Sequence, residues 1–127
     1  MCLVLYDNAM FRLLILVAIQ SLLFTGGQVF LKLATAILPE KFEWSWVYFK
    51  TLLTDWWLLA CGLSFGAGTV LWIHILKYFP FSQAYPLTAL GYVFGMLAGI
   101  WVFGEQVPLA RWFGMGLIVL GCFFIMK

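Results

Sequence analysis

The sequence predicts an all-α membrane protein with four transmembrane helices, at about residues 11–38, 56–79, 82–103 and 108–126. Two observations carry that reading. Of the 127 residues, 65% are hydrophobic and only 9% are charged. A soluble domain carries about 25% charged residues, so these few charges cannot keep so much apolar surface in water. The apolar residues also gather in four runs, each supplying the roughly 20 residues that take a helix across about 30 Å of hydrocarbon. Lipid offers the backbone no hydrogen-bond partner, so the runs must be helices. They form a single four-helix domain over residues 1–127. A net charge of +2 is too weak to suggest nucleic acid. Cys2, Cys61 and Cys122 are scattered without metal-binding spacing, and Cys61 and Cys122 read as small apolar residues within helices.

The first run follows Arg12 and resembles a signal peptide at its start. It is too long for one and has no small-residue cleavage site, so it reads as a permanent helix. It also carries polar residues. Ser21, Thr25, Gln28, Lys32 and Thr35 follow steps of four, three, four and three, which places them on one narrow helical face. Gly26 and Gly27 thin the helix beside it. An aligned polar stripe in a membrane helix suggests the wall of a polar or water-filled cavity. With the helix centre near Phe24, Lys32 lies about 12 Å from the midplane. Two readings stay open there: a lysine snorkelling to the interface, or a cation meeting an anionic group at the end of a groove, with Gln28 as a second donor.

Between the first two helices, "LPEKFEWSWVYFKTLLTD" mixes Glu40, Lys41, Glu43 and Lys50 with Trp44, Trp46 and Tyr48. That mixture suits the headgroup layer and a short amphipathic piece lying on the membrane. The second helix carries Gly62, Gly66, Gly68 and Ser64, which predict close packing, and His74 near its end reads as a satisfied or interfacial residue, with a proton relay as the alternative. In the third, Gly91, Gly95 and Gly99 form two overlapping G-x-x-x-G steps, the signature of a tight helix crossing; Gly95→Leu is therefore expected to disturb packing. Pro86 should disturb the first turn of this helix and release a carbonyl. Tyr85 beside it is a candidate headgroup contact or an interface anchor. Pro108 suits the first turn of the fourth helix, whose Gly114, Gly116 and Gly121 again predict close packing. Orientation stays open: Arg12, Lys77 and Lys127 on one side face Lys41, Lys50 and Arg111 on the other, so the positive-inside rule has nothing to work with.

The four helices hold no interior carboxylate; Asp55 and Glu105 fall at segment ends. A proton-coupled exporter of cations usually needs a membrane-embedded Asp or Glu. No nucleophile–base set or metal cluster is visible, so the chain reads as a non-enzyme without a cofactor. Four helices also enclose little volume, which points to a second copy or a paralogue for any sizeable transport path.

Three stretches, in order, carry a resemblance. They are "GGQVFLKLAT" (Gly26–Thr35), "VLWIHILKYFPFSQAYPLTALGYVF" (Val70–Phe94) and "FGEQVPLARWFGMGLIVLG" (Phe103–Gly121). The chain resembles the short, four-helix EamA-type members of the drug/metabolite transporter superfamily. Gly27-Gln28…Lys32…Ala34-Thr35 and Ala84-Tyr85-Pro86 look most like the paired subunits that flip aminoarabinose-phosphoundecaprenol across the bacterial inner membrane, in support of lipid A modification. The small multidrug resistance antiporters of the same superfamily carry an essential glutamate about two turns before the matching lysine, and this chain has Phe24 there. The resemblance implies a lipid-linked sugar as substrate and a homodimer or a heterodimer with a paralogous subunit. It implies a phosphate held by Lys32 and Gln28, a sugar sheltered by the polar stripe with Thr25 and Ser21, and Glu105 or Asp55 as a carboxylate for the sugar's ammonium. A small amphipathic efflux substrate and a purely structural subunit are the alternatives.

Overall fold

The computed structural model describes residues 2–37 and 44–127, with side chains from residue 7 onward. Four helical segments among them are long and apolar enough to cross a membrane: Asp7–Thr35, Trp56–Tyr78, Phe81–Phe103 and Leu109–Met126. The expected loop charges Glu40, Lys41 and Glu43 lie outside the described residues.

Helix α1 runs over Cys2–Thr35. It begins well before the expected residue 11, because residues 2–10 hold no Gly or Pro and Asp7 and Asn8 do not stop a helix. It ends in a tightened turn, with Ala36 N–H on Leu33 O and Ile37 N–H on Ala34 O; Pro39 follows, and a residue preceding proline avoids the helical region. Helix α2, Trp46–Thr54, is a short helix in the joint where the sequence suggests an amphipathic piece. Ser45 caps it, accepting from Val47 N–H at 3.3 Å, and Trp46 is 83% exposed. Helix α3 covers Trp56–Tyr78. Asp55 caps it, accepting from Trp57 N–H at 3.1 Å, which satisfies one of the amides a helix start leaves free.

The third span is not the single helix expected over 82–103. It breaks into α4, Phe81–Leu87, and α5, Leu90–Phe103. Pro86 removes one backbone donor. The chain steps through Thr88 and Ala89 on short-range bonds, Thr88 N–H to Tyr85 O and Ala89 N–H to Pro86 O, both 3.1 Å. The disturbance thus falls just after Pro86. Helix α6, Leu109–Met126, follows Pro108.

Helices α1 and α3 are antiparallel and make the tightest crossing. A Cβ at Gly27 would meet the Phe65 ring at 3.0 Å, and one at Gly68 would meet the Phe24 ring at 3.0 Å. Ser64 donates to Leu23 O at 2.6 Å, and Phe24 and Phe65 pack with ring centroids 5.4 Å apart. Small residues at such a crossing let two backbones approach where lipid gives no hydrophobic drive. Other glycines do not behave as expected: beyond its own turn of helix, no described atom lies within 4 Å of a Cβ at Gly62, Gly66, Gly114, Gly116 or Gly121. They face open space within this chain.

The apolar core gathers at one end of the bundle. Met10, Leu13 and Val17 of α1 pack there with Ile75 of α3, Ala84 and Leu87 of α4, and Cys122 of α6. Cys61 and Cys122 are buried thiols, as their apolar reading expects. Toward the other end α5 stands beside α1 without a comparable core, and a groove opens between them.

Candidate functional site

The polar stripe forms one wall of this groove. Burial falls along it: Ser21 and Thr25 are 3% and 8% exposed, while Gln28 and Lys32 are exposed. The helix rises about 1.5 Å per residue, so the stripe descends roughly 16 Å from Lys32 to Ser21. Thr25 donates to Gly91 O at 3.4 Å and ties the two walls together. Thr35, the last member, turns back to Lys32 O at 2.7 Å and stays out of the groove.

The opposite wall is the glycine face of α5. Gly91 meets α1, with Ser21 Cβ 3.8 Å from a Cβ built on it. Beyond its own turn of helix, no described atom lies within 4 Å of such a Cβ at Gly95, so the expected close crossing is not made there within this chain. Its missing side chain leaves room instead: Gly95 and Gly99 border a cavity of 210 Å³ with Thr25, Gln28, Lys32 and Glu105. A second cavity of 220 Å³, deeper in the span, is lined by Gln20, Ser21, Thr25, Gln28, Thr88 and Tyr92. Thr25 and Gln28 line both.

An ion pair sits at the mouth. Lys32 Nζ bonds Glu105 Oε1 and lies 4.0 Å from the centroid of the Phe103 ring. The local sequence explains how Glu105 gets there. Gly104 takes a left-handed conformation, φ 63°, which a residue without a Cβ adopts freely. The chain then doubles back, with Glu105 N–H on Gly99 O at 3.0 Å. The carboxylate settles over Gly99, where a Cβ would stand 3.1 Å from Oε2. Gly99 is thus the seat of a carboxylate rather than of a helix. The Lys32 hydrogen bond, then its charge, holds the Glu105 carboxyl below its ordinary value, with a smaller contribution from Arg111. Arg111 shares with Glu105 a cavity of 410 Å³ between α5 and α6.

An apolar cleft of 320 Å³ runs beside the polar groove, lined by Leu22, Phe30, Phe94, Leu97 and Trp101 among others. Thr25, Val29 and Ala98 border both spaces. A polar channel and an apolar slot sharing one wall suit an amphipathic ligand, head in one and chain in the other. A further cavity of 480 Å³, lined by Ile37, Lys50, Thr54 and Asp55, shares no lining residue with the groove.

Sequence reasoning singled out Ser21, Thr25, Gln28, Lys32 and Glu105, and the structure brings all five to one groove. Tyr85 is elsewhere: it is 57% exposed, stacks on Phe81 with centroids 4.9 Å apart and lies near Trp72. Gln20 was missed. It is one residue off the four-three stripe, and only its polarity inside an apolar run marks it.

The EamA-like transporter family profile matches residues 8–127. The chain is 34% identical over 111 residues to a probable 4-amino-4-deoxy-L-arabinose-phosphoundecaprenol flippase subunit, ArnE, of Pectobacterium atrosepticum, covering 87% of this chain and 95% of that one. The protein of the same name from Serratia proteamaculans is 34% identical, covering 84% and 89% of the two chains. That from Salmonella enteritidis is 36% identical, covering 84% and 90%. No solved structure matches the chain. A four-span helical fold, a polar groove between its first and third spans and this likeness over nearly the whole length agree, and the chain belongs to the EamA-like transporter family.

Proposed function

We propose that the protein is one subunit of a flippase in the bacterial inner membrane. It moves an undecaprenyl-phosphate-linked sugar, 4-amino-4-deoxy-L-arabinose, across the bilayer for lipid A modification. It works as a homodimer or with a paralogous four-helix subunit, and no bond is made or broken. The observation that carries the reading is the groove, lined by the polar stripe of α1 and carrying the Lys32–Glu105 pair at its mouth.

The headgroup of such a lipid carries a phosphate and an ammonium. At the mouth, Lys32 exchanges Glu105 for the phosphate, and Glu105 is left to meet the ammonium. One ion pair becomes two, and no charge stands unpaired where desolvation would penalise it. The prenyl chain stays in lipid and in the apolar cleft beside the groove, so only the headgroup needs a polar path. The likeness to ArnE proteins supports the substrate class, and their designation as subunits supports a partner.

The test is translocation in vesicles free of other amines. Aminoarabinosyl-phosphoundecaprenol and the purified protein are reconstituted, with and without the co-expressed paralogue. A membrane-impermeant amine reagent then reads the arrival of the sugar's amine in the outer leaflet. Protein-containing vesicles should label faster than empty ones, and Lys32→Ala should slow labelling at equal protein content. Labelling no faster than in empty vesicles, with and without the paralogue, would refute the proposal.

A further inference from the structure

Two buried polar atoms near the middle of α1 have no hydrogen-bond partner among the described residues: Gln20 Oε1 and Ser21 Oγ. Their residues are 2% and 3% exposed, and they sit halfway along the span Asp7–Thr35, where lipid can supply no donor. Hydroxyls on membrane helices have a local remedy, a bond to the carbonyl four residues back. Thr69 uses it, with Phe65 O at 2.8 Å. Ser21 does not. Both orphan atoms belong to residues lining the deeper 220 Å³ cavity, which continues through Thr25 and Gln28 to the mouth. Thr88, at the break between α4 and α5, lines the opposite side. Buried polar groups are as a rule satisfied, and none of the described residues supplies these two atoms with a donor.

We propose that the deeper cavity is a mid-membrane binding site for the sugar ring of the transported lipid. Gln20 Oε1 and Ser21 Oγ accept from its hydroxyl and ammonium groups. This rests on the flippase reading and adds a location and a class of ligand to it: a donor-rich ring joined to a phosphate. The spacing fits that join. Thr25 is one helical turn, about 6 Å, from Ser21 toward the mouth, and Gln28 lies one further turn along. A ring at Ser21 therefore leaves its phosphate at the level of Thr25 and the Gln28 amide, one turn short of Lys32. The head thus has two resting positions, one at the mouth and one half-way across.

The experiment reads occupancy, not transport. Ser21→Cys, in the full chain with its co-purifying partner, is exposed to a small cationic thiosulfonate, with the wild-type protein correcting for its own cysteines. The expected result is modification that aminoarabinosyl-phosphoundecaprenol slows about tenfold and sugar-free undecaprenyl phosphate does not. Gln20→Leu in the same background should abolish the protection, and Gln20→Glu, which keeps an acceptor, should retain it. No modification, no protection, or equal protection by both lipids would each overturn the proposal; the last two would mean a cavity holding only water or a chain-filled groove. Failure of the flippase reading appears separately, as protection without translocation in the vesicle assay.

Discussion

Replacing Gly68 with alanine tests the α1–α3 crossing that fixes the stripe's orientation. The new Cβ would stand 3.0 Å from two carbons of the Phe24 ring and 3.6 Å from Leu23 Cβ, against a comfortable carbon separation of about 3.5–4.0 Å. Phe24 cannot simply swing aside, because its ring is packed on Phe65. Overpacking of this kind costs about 1–3 kcal/mol. Alanine also gains about 1 kcal/mol over glycine inside a helix, which hides part of the cost. Gly66→Ala supplies the control: it lies on the same helix, but beyond its own turn its Cβ would meet no described atom within 4 Å. The propensity gain cancels between the two variants, and Gly68→Ala should be the less stable by about 1–3 kcal/mol. Thermal unfolding in lipid nanodiscs is followed by a thiol-reactive dye reaching the buried Cys61 and Cys122, in a Cys2→Ser background. Phe24→Leu should shrink the difference, since neighbours in contact are not additive. Equal stability of the two alanine variants would show that the crossing is not as tight as described.

Three further outcomes are expected. Gly95→Leu should leave the amount of folded protein unchanged and reduce translocation, because it fills the groove, while Gly95→Ala should behave as wild type in both assays; loss of folded protein with Gly95→Leu would restore a packing role. The carboxyl of Glu105 is held down by Lys32, so the stabilisation from this pair is complete above the ordinary carboxyl value of 4.5 and is lost as pH falls through the lower value in the folded protein. Carbon-detected NMR should accordingly find a Glu105 midpoint below 4.5 that rises in Lys32→Ala, with equal midpoints counting against the pair. Gly104→Ala forces a Cβ into the left-handed region at φ 63°, costs about 1–2 kcal/mol and should raise the same Glu105 midpoint by displacing the carboxylate; an unmoved midpoint would show that Gly104 does not position it.

Much of the groove was legible because its main wall is a single helix. Ser21, Thr25, Gln28 and Lys32 share a face by the geometry of α1 alone, and no knowledge of packing was needed to align them. The opposite wall was not legible in the same way. G-x-x-x-G says that glycines share a face, not what that face meets: Gly91 meets Ser21, Gly95 meets open space and Gly99 meets Glu105. The ion pair was out of reach because it depends on Gly104 turning the chain back, which sets Glu105 beside a residue 73 positions away. Pro86 announced a disturbance, but the break at Thr88–Ala89 reflects how the released turn repacked on short-range bonds. Gln20 escaped because burial, which makes its unpaired oxygen meaningful, is a property of the assembled helices.

The crossing of α1 and α3 also bears on the order in which the protein is built. Of the four spans, these two leave the ribosome before the others, and chains assemble largely in order of synthesis. Their interlock needs nothing from the later spans: Gly27 against Phe65, Gly68 against Phe24 and Ser64 on Leu23 O all lie within the first 68 residues. The antiparallel hairpin can therefore close in the bilayer while α5 and α6 are still being translated. The polar face of α1 is then already turned away from α3 when α5 arrives. The polar stripe is thus presented to the span that leaves a groove beside it.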